Sequence, residues 1–189
     1  MSIQPHSKED AKQGYVVAFL VIVVSLGFGL FGLPHFGKQK ARSHSPLVGQ
    51  PAQDFMLPGI SGAMNGKTQR LSDLQGKTVL LDFFASWCGP CRQQAPIVDR
   101  VAQRLASSNL AVYGVDTSDH RSDADQYLDD HRPSYSVLFD GDSMAASAFE
   151  VTGLPTLVVI DKGGIVRAVE TRVVGETELE DLIKEAATH

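Results

Sequence analysis

Cysteine is scarce in this chain: two among 189 residues, Cys88 and Cys91, with the single tryptophan, Trp87, directly before them. A zinc site built on that pair would be two ligands short, and His120 and His131 stand alone, in no spacing that could complete it. Positive charge is also in deficit: 17 Lys and Arg against 22 Asp and Glu leave a net charge of −5, which argues against a nucleic-acid partner. No internal repeat or low-complexity tract is visible. With 43% hydrophobic and 21% charged residues, the chain fits one globular domain plus an appendage.

That appendage is N-terminal. From Tyr15 to Leu33 no charged residue occurs, and Val, Leu, Ile and Phe dominate over a length just sufficient to cross a bilayer as a helix. Residues 1–14 are then a tail, 15–33 a transmembrane anchor, 34–50 a Gly-, Ser- and Lys-containing linker, and 51–189 the domain. A cleaved secretory signal is the rival reading, but its apolar region is usually shorter and no small-x-small cleavage site is evident near Gly32-Leu33-Pro34. No cysteine closely follows the run, so lipoprotein anchoring is not expected. Lys8 and Lys12 precede the span and Lys38, Lys40 and Arg42 follow it. The count slightly favours keeping the domain inside, although long domains translocate largely regardless of charge.

What is present concentrates in Trp87-Cys88-Gly89-Pro90-Cys91, which follows the apolar run Thr78-Val79-Leu80-Leu81 and Phe83-Phe84 and precedes a helix-like segment. Two residues between the thiols let both sulfurs meet across one helical turn, so the stretch reads as a site of reversible dithiol–disulfide exchange. Unpaired N–H groups and the dipole at a helix start stabilise a thiolate, which makes Cys88 the attacking thiol and Cys91 the interior, resolving one. Pro90 suits a first turn, where no N–H donor is needed. Asp82 alone interrupts the apolar strand. A carboxylate there is costly without a partner or a chemical role. Two readings stand: a structural, paired carboxylate, or a proton acceptor for Cys91 whose burial raises its pKa.

The wider pattern resembles the thioredoxin superfamily. Asp82 lies six positions before Cys88, Pro96 five after Cys91, and Gly153-Leu154-Pro155-Thr156 looks like the cis-proline loop of that superfamily. Gln53-Asp54-Phe55-Met56-Leu57 and Thr68-Gln69-Arg70-Leu71-Ser72-Asp73-Leu74-Gln75-Gly76-Lys77 resemble the opening of its membrane-tethered TlpA/ResA kind. The resemblance implies an α/β thioredoxin fold, a central mixed β-sheet flanked by helices, with a TlpA-like N-terminal hairpin and a central insertion, preceded by one transmembrane helix. It implies that Asp82 shuttles the proton of Cys91. It places Trp87, Gly89, Pro90, Leu154 and Pro155 around the cysteine-containing peptide that would dock, with Pro155 cis. It requires no cofactor and no metal. Relatives of this kind face the periplasm or extracytoplasmic side of the cytoplasmic membrane. They take electrons from a CcdA/DsbD-type membrane donor and keep apocytochrome c cysteines reduced. The chain departs from that pattern at Gln94, where those relatives commonly carry a glutamate; Gln94 cannot carry a proton.

Along the rest of the chain, periodicity predicts a strand over 78–85 and a helix from about Pro90 to Ser107, kinked at Pro96 and closed by Asn109. A second strand spans 110–115. Asp116 to His120 form a strand-end loop, with His120 either near substrate or simply solvated. Ser122 or Asp123 is expected to cap a helix ending near Asp130, and Asp142 or Ser143 a small helix after the strand 137–139. Strands 157–160 and 165–169 flank an Asp161-Lys162-Gly163-Gly164 turn, and Thr177-Glu178-Leu179-Glu180 is expected to open the last helix as a capping box.

These readings converge on a membrane-anchored thiol–disulfide oxidoreductase acting as a reductant. A general disulfide oxidant or isomerase of envelope proteins and a tethered, non-enzymatic redox sensor are the alternatives. A peroxidase is not expected, because peroxiredoxin-type sites use a lone cysteine in a Thr/Pro setting absent here.

Overall fold

The computed structural model describes residues 45–189. The expected tail, transmembrane anchor and most of the linker fall outside the described residues. Among those described, no helix is long and apolar enough to cross a membrane.

A five-stranded mixed sheet forms the centre. Its strands are β3 (Thr78–Phe84), β4 (Leu110–Thr117), β5 (Ser136–Asp140), β6 (Thr156–Ile160) and β7 (Val166–Glu170), in the order β5-β4-β3-β6-β7. β3 runs parallel to β4 and antiparallel to β6. All seven residues of β3 are buried, as a strand covered on both faces requires. Alternation divides them. Leu80 and Phe84, which flank Asp82 on its side of the sheet, join the cluster under α1 (Gly89–Arg104), α2 (Arg121–His131) and α4 (Glu176–Ala187). Val79, Leu81 and Phe83 join the opposite cluster, with Phe149 just after α3 (Met144–Ala148) and with Phe55, Leu57, Leu71 and Leu74. Those last four belong to an N-terminal hairpin of β1 (Met56–Pro58) and β2 (Thr68–Arg70) and the short 3-10 turn after it. The hairpin is tied to the sheet by a bridge from Gly59 to Leu138.

Two expected helix starts differ from those observed, and a third keeps its place but draws on a further cap. α4 begins at Glu176 on an extended Gly175, with no side-chain cap, so Thr177 sits inside the first turn. The Glu176 carboxylate is engaged by Arg100 and Arg104 of α1, and Glu180 also pairs with Arg104. Those ion pairs, together with acidic residues in a first turn, hold the helix end without a capping box. α2 starts two or three residues earlier than expected, after His120, and neither Ser122 nor Asp123 caps it. α3 has Ser143 at its N-cap as expected, but its backbone is left-handed (φ 58°) and its side chain makes no cap bond; Asp142 accepts the Met144 N–H at 3.4 Å, and Asp140 adds two shorter bonds. The Asp140 carboxylate accepts from the N–H groups of Ala145 (3.0 Å) and Ala146 (2.9 Å).

Candidate active site

β3 delivers the chain to a loop of four residues that ends in the cysteine pair. Cys88 is the N-cap of α1, extended in backbone, and Pro90 occupies the first turn, where its missing N–H leaves no bond unmade. Cys88 and Cys91 are joined in a disulfide, and the Cys88 sulfur accepts the Cys91 N–H at 3.2 Å. That contact and the helix dipole favour negative charge on Cys88 once the bond is reduced. The two thiols are not equivalent in access: Cys88 retains 4% exposure and Cys91 1%, the latter packed into the core under α1.

The β4–α2 loop grips this one. The Ser86 N–H donates to Asp119 at 2.6 Å, the Trp87 indole N–H donates to the Ser118 carbonyl at 3.1 Å, and Arg92 donates to the Ser86 carbonyl, also at 3.1 Å. Ser118 and Asp119, not His120, are therefore the residues of that loop that touch the site. His120 is exposed and caps α2 by its backbone.

Above the disulfide lies a groove of about 500 Å³, lined by Trp87, Cys88, Gly89, Pro90 and Leu154 on one side and by Thr117, Ser118, Ser143, Ala146, Ser147 and Val151 on the other. It carries no charged side chain. Trp87 is 64% exposed at its edge. Of the residues expected around substrate, four line the groove. Pro155, in a cis Leu154–Pro155 bond, is buried behind them. The hydroxyl-bearing wall from Thr117, Ser118, Ser143 and Ser147 has no signature in the sequence, because it is assembled from two loops and a five-residue helix.

Asp82 lies in the middle of β3, 2% exposed, paired across the ladder with Gly114 on β4 and Leu157 on β6. Burial pushes its carboxyl up to about 7, offset in part by a hydrogen bond donated by the Tyr135 hydroxyl. Its Oδ1 has no partner. Gly114 permits the approach of Tyr135: a Cβ there would stand 3.2 Å from the Tyr135 ring and 3.0 Å from Phe84. A carboxyl poised near neutrality, on the sheet face that carries Cys91, can accept or return that thiol's proton.

Residues 48–169 match the AhpC/TSA family, well over half of the chain. The chain belongs to the AhpC/TSA family. The chain is similar to the thiol-disulfide oxidoreductase ResA of Bacillus subtilis, 28% identical over 172 residues that cover 89% of this chain and 91% of that one. It is also similar to the thiol:disulfide interchange protein DsbE of Pseudomonas aeruginosa, 31% identical, covering 79% and 77%. Among solved structures, a candidate DsbE from Chlorobium tepidum superposes with a TM-score of 0.67 at 33% identity, over 74% of this chain and 96% of that one.

Two further buried polar residues of this AhpC/TSA chain matter at the site. Gln94 is fully buried, accepts the Val174 N–H at 2.7 Å, and leaves its own amide nitrogen unpartnered. It is a tie between α1 and the segment before α4. Asp116, expected in a loop, is the penultimate residue of β4 and fully buried, because β4 runs on to Thr117 beside β5. Burial, then the charges of Asp119 and Asp125, push its carboxyl up to about 8.

Proposed function

We infer that the chain is a thiol–disulfide oxidoreductase of ResA/DsbE type, acting on cysteine-containing proteins. The observation that carries this reading is the Cys88–Cys91 disulfide at the start of α1, with one sulfur at the floor of an open, uncharged groove and the other buried. Reduced Cys88 attacks a substrate disulfide and a mixed disulfide forms. Cys91, deprotonated by Asp82, then attacks Cys88 and releases the substrate thiolate. An uncharged groove beside an exposed indole suits an extended peptide recognised by its backbone and apolar side chains. The peroxidase alternative gains nothing from the site, since both cysteines are spent on one another in a single disulfide.

Trapping separates the roles. Cys88→Ser and Cys91→Ser both abolish turnover, and only Cys91→Ser accumulates substrate as mixed disulfides on a non-reducing gel; trapping by Cys88→Ser instead would reverse the assignment.

The finer reading is that residues 15–33 anchor the protein in the cytoplasmic membrane with this domain on the extracytoplasmic side. There it would reduce apocytochrome c cysteines with electrons from a CcdA/DsbD-type donor. Its supports are the uncharged apolar run in the sequence, the N-terminal hairpin of β1 and β2, and the similarity to ResA and DsbE. Acid quench of intact cells followed by mass-tag alkylation tests it. A mostly reduced pair in the membrane fraction supports a dedicated electron supply; a mostly oxidised pair moves the reading to an oxidant or a sensor.

A further inference from the structure

A second pocket opens beside α1 and shares no lining residue with the substrate groove. It measures about 220 Å³ and is walled by Phe84, Arg92, Pro96, Tyr127, His131 and Tyr135, among others. Tyr127 is 94% buried in the complementary sense of its 6% exposure, yet its hydroxyl has no partner, and the Oδ1 of Asp82 likewise has none. Tyr135 stands between the pocket and the carboxyl, because it lines the pocket with Tyr127 and donates its hydroxyl to Asp82. The Tyr127 ring is fixed between Phe84, at 5.3 Å, and His131, stacked at 4.0 Å, so its position is set by packing and not by a hydrogen bond.

We propose that this pocket is the proton port of Asp82, through which the carboxyl exchanges protons with solvent by way of the Tyr135 and Tyr127 hydroxyls. The inference rests on Asp82 serving as the acceptor for Cys91. In the resolving step the Cys91 proton moves to Asp82, the Cys91 sulfur bonds to Cys88, and the bond from Cys88 to the substrate sulfur breaks. The substrate leaves as a thiolate and takes a proton from bulk water. While the reduced peptide, its bond to Cys88 broken, is still seated in the groove, the proton held by Asp82 departs by the pocket side. Tyr135 accepts it as it gives its own proton outward to Tyr127 or to water in the pocket, and the charge balance closes without passing the sulfurs. The groups facing this cluster are Arg92 and Asp99 from α1, Tyr127 and His131 from α2, Asp116 from β4 and Tyr135 before β5. Tyr127 also senses the charge of Asp82, which together with the larger effect of burial pushes its hydroxyl up to about 12.

The oxidised full-length protein isolates the port, since no thiol is then available to exchange with Asp82. Carbon-13 relaxation dispersion of the Asp82 carboxyl, recorded near its titration midpoint, reads the protonation rate on the microsecond-to-millisecond scale. Tyr127→Phe, and Ala95→Leu, which narrows the pocket, are expected to slow that exchange about tenfold and leave the midpoint in place. Tyr135→Phe slows it and also moves the midpoint upward, because the carboxylate loses its donor. The same spectra report that each variant keeps its fold. Unchanged exchange in both Tyr127→Phe and Ala95→Leu overturns the port. If exchange slows but Asp82→Asn leaves mixed-disulfide release untouched, the port stands and the acceptor role of Asp82 falls.

Discussion

Ionised Asp82 is costly to the fold, and that cost is what makes the residue useful. In water it would hold no proton at neutral pH; in this strand burial brings it to about 7, where the charged and neutral forms are close in free energy. Asp82→Asn should therefore slow release of the mixed disulfide by on the order of 100-fold while leaving the attack of Cys88 nearly unchanged. The rate of release in the native protein should rise with pH around 7, since the ionised carboxylate is the acceptor, and the variant should lose that limb. Rapid-quench separation of the two steps checks this, and equal slowing of both sinks it. The carboxylate was legible in the sequence because it interrupts an apolar strand. Its partner was not: Tyr135 sits in a stretch without periodicity, and only the ladder pairing of Asp82 with Gly114 shows where its ring has room to lie. Gln94 was legible as a missing acid but not as a tie, because Val174 is 80 residues away.

Elements were easier to read than their ends. The strands and helices follow from apolar runs and periodicity, which depend on burial and so on the whole fold. Caps depend on single side chains: two helices start on residues that no local motif marks, and the third starts at the expected Ser143 but takes its shorter cap bonds from elsewhere. α3 is the clearest case, for those shorter bonds come from the last residue of β5. Asp140 is fully buried and holds two N–H groups of α3, while the Thr117 hydroxyl donates to the same carboxylate at 3.1 Å. Asp140→Ala orphans those donors in a buried place, at a cost of about 1–3 kcal/mol. Because Ser143, Ala146 and Ser147 form one wall of the groove, the change should also weaken peptide binding. Urea unfolding gives the first effect, and a rise in KM with kcat little altered gives the second. A loss of stability with KM unchanged would detach α3 from substrate recognition.

At the scale of the molecule, two buried carboxyls on the adjacent strands β3 and β4 set how stability responds to pH. Asp82 and Asp116 are raised from 3.8 to about 7 and about 8, in each case chiefly by burial. Between those limits the native state holds protons that the unfolded chain has released, so the free energy of unfolding falls as pH rises. The stability they permit is fully present below about pH 4 and is lost as pH climbs through 7 to 8. The carboxylates held below their usual range, Asp54, Asp161, Glu176 and Glu180, act with the opposite sign, but only in more acid solution. Urea unfolding of the oxidised protein should show stability a few kcal/mol lower at pH 8.5 than at pH 5. The double variant Asp82→Asn, Asp116→Asn should flatten that slope and be more stable than the native chain at the alkaline end. A native profile that is flat across the interval would mean that the two carboxyls titrate normally, and the proton chemistry assigned to Asp82 would lose its basis. A slope that survives in the double variant would place the responsible protons elsewhere in the domain. An enzyme whose acceptor is ionised at the expense of its own stability gains rate with rising pH while it loses margin against unfolding, and the two curves should cross near the midpoint of Asp82.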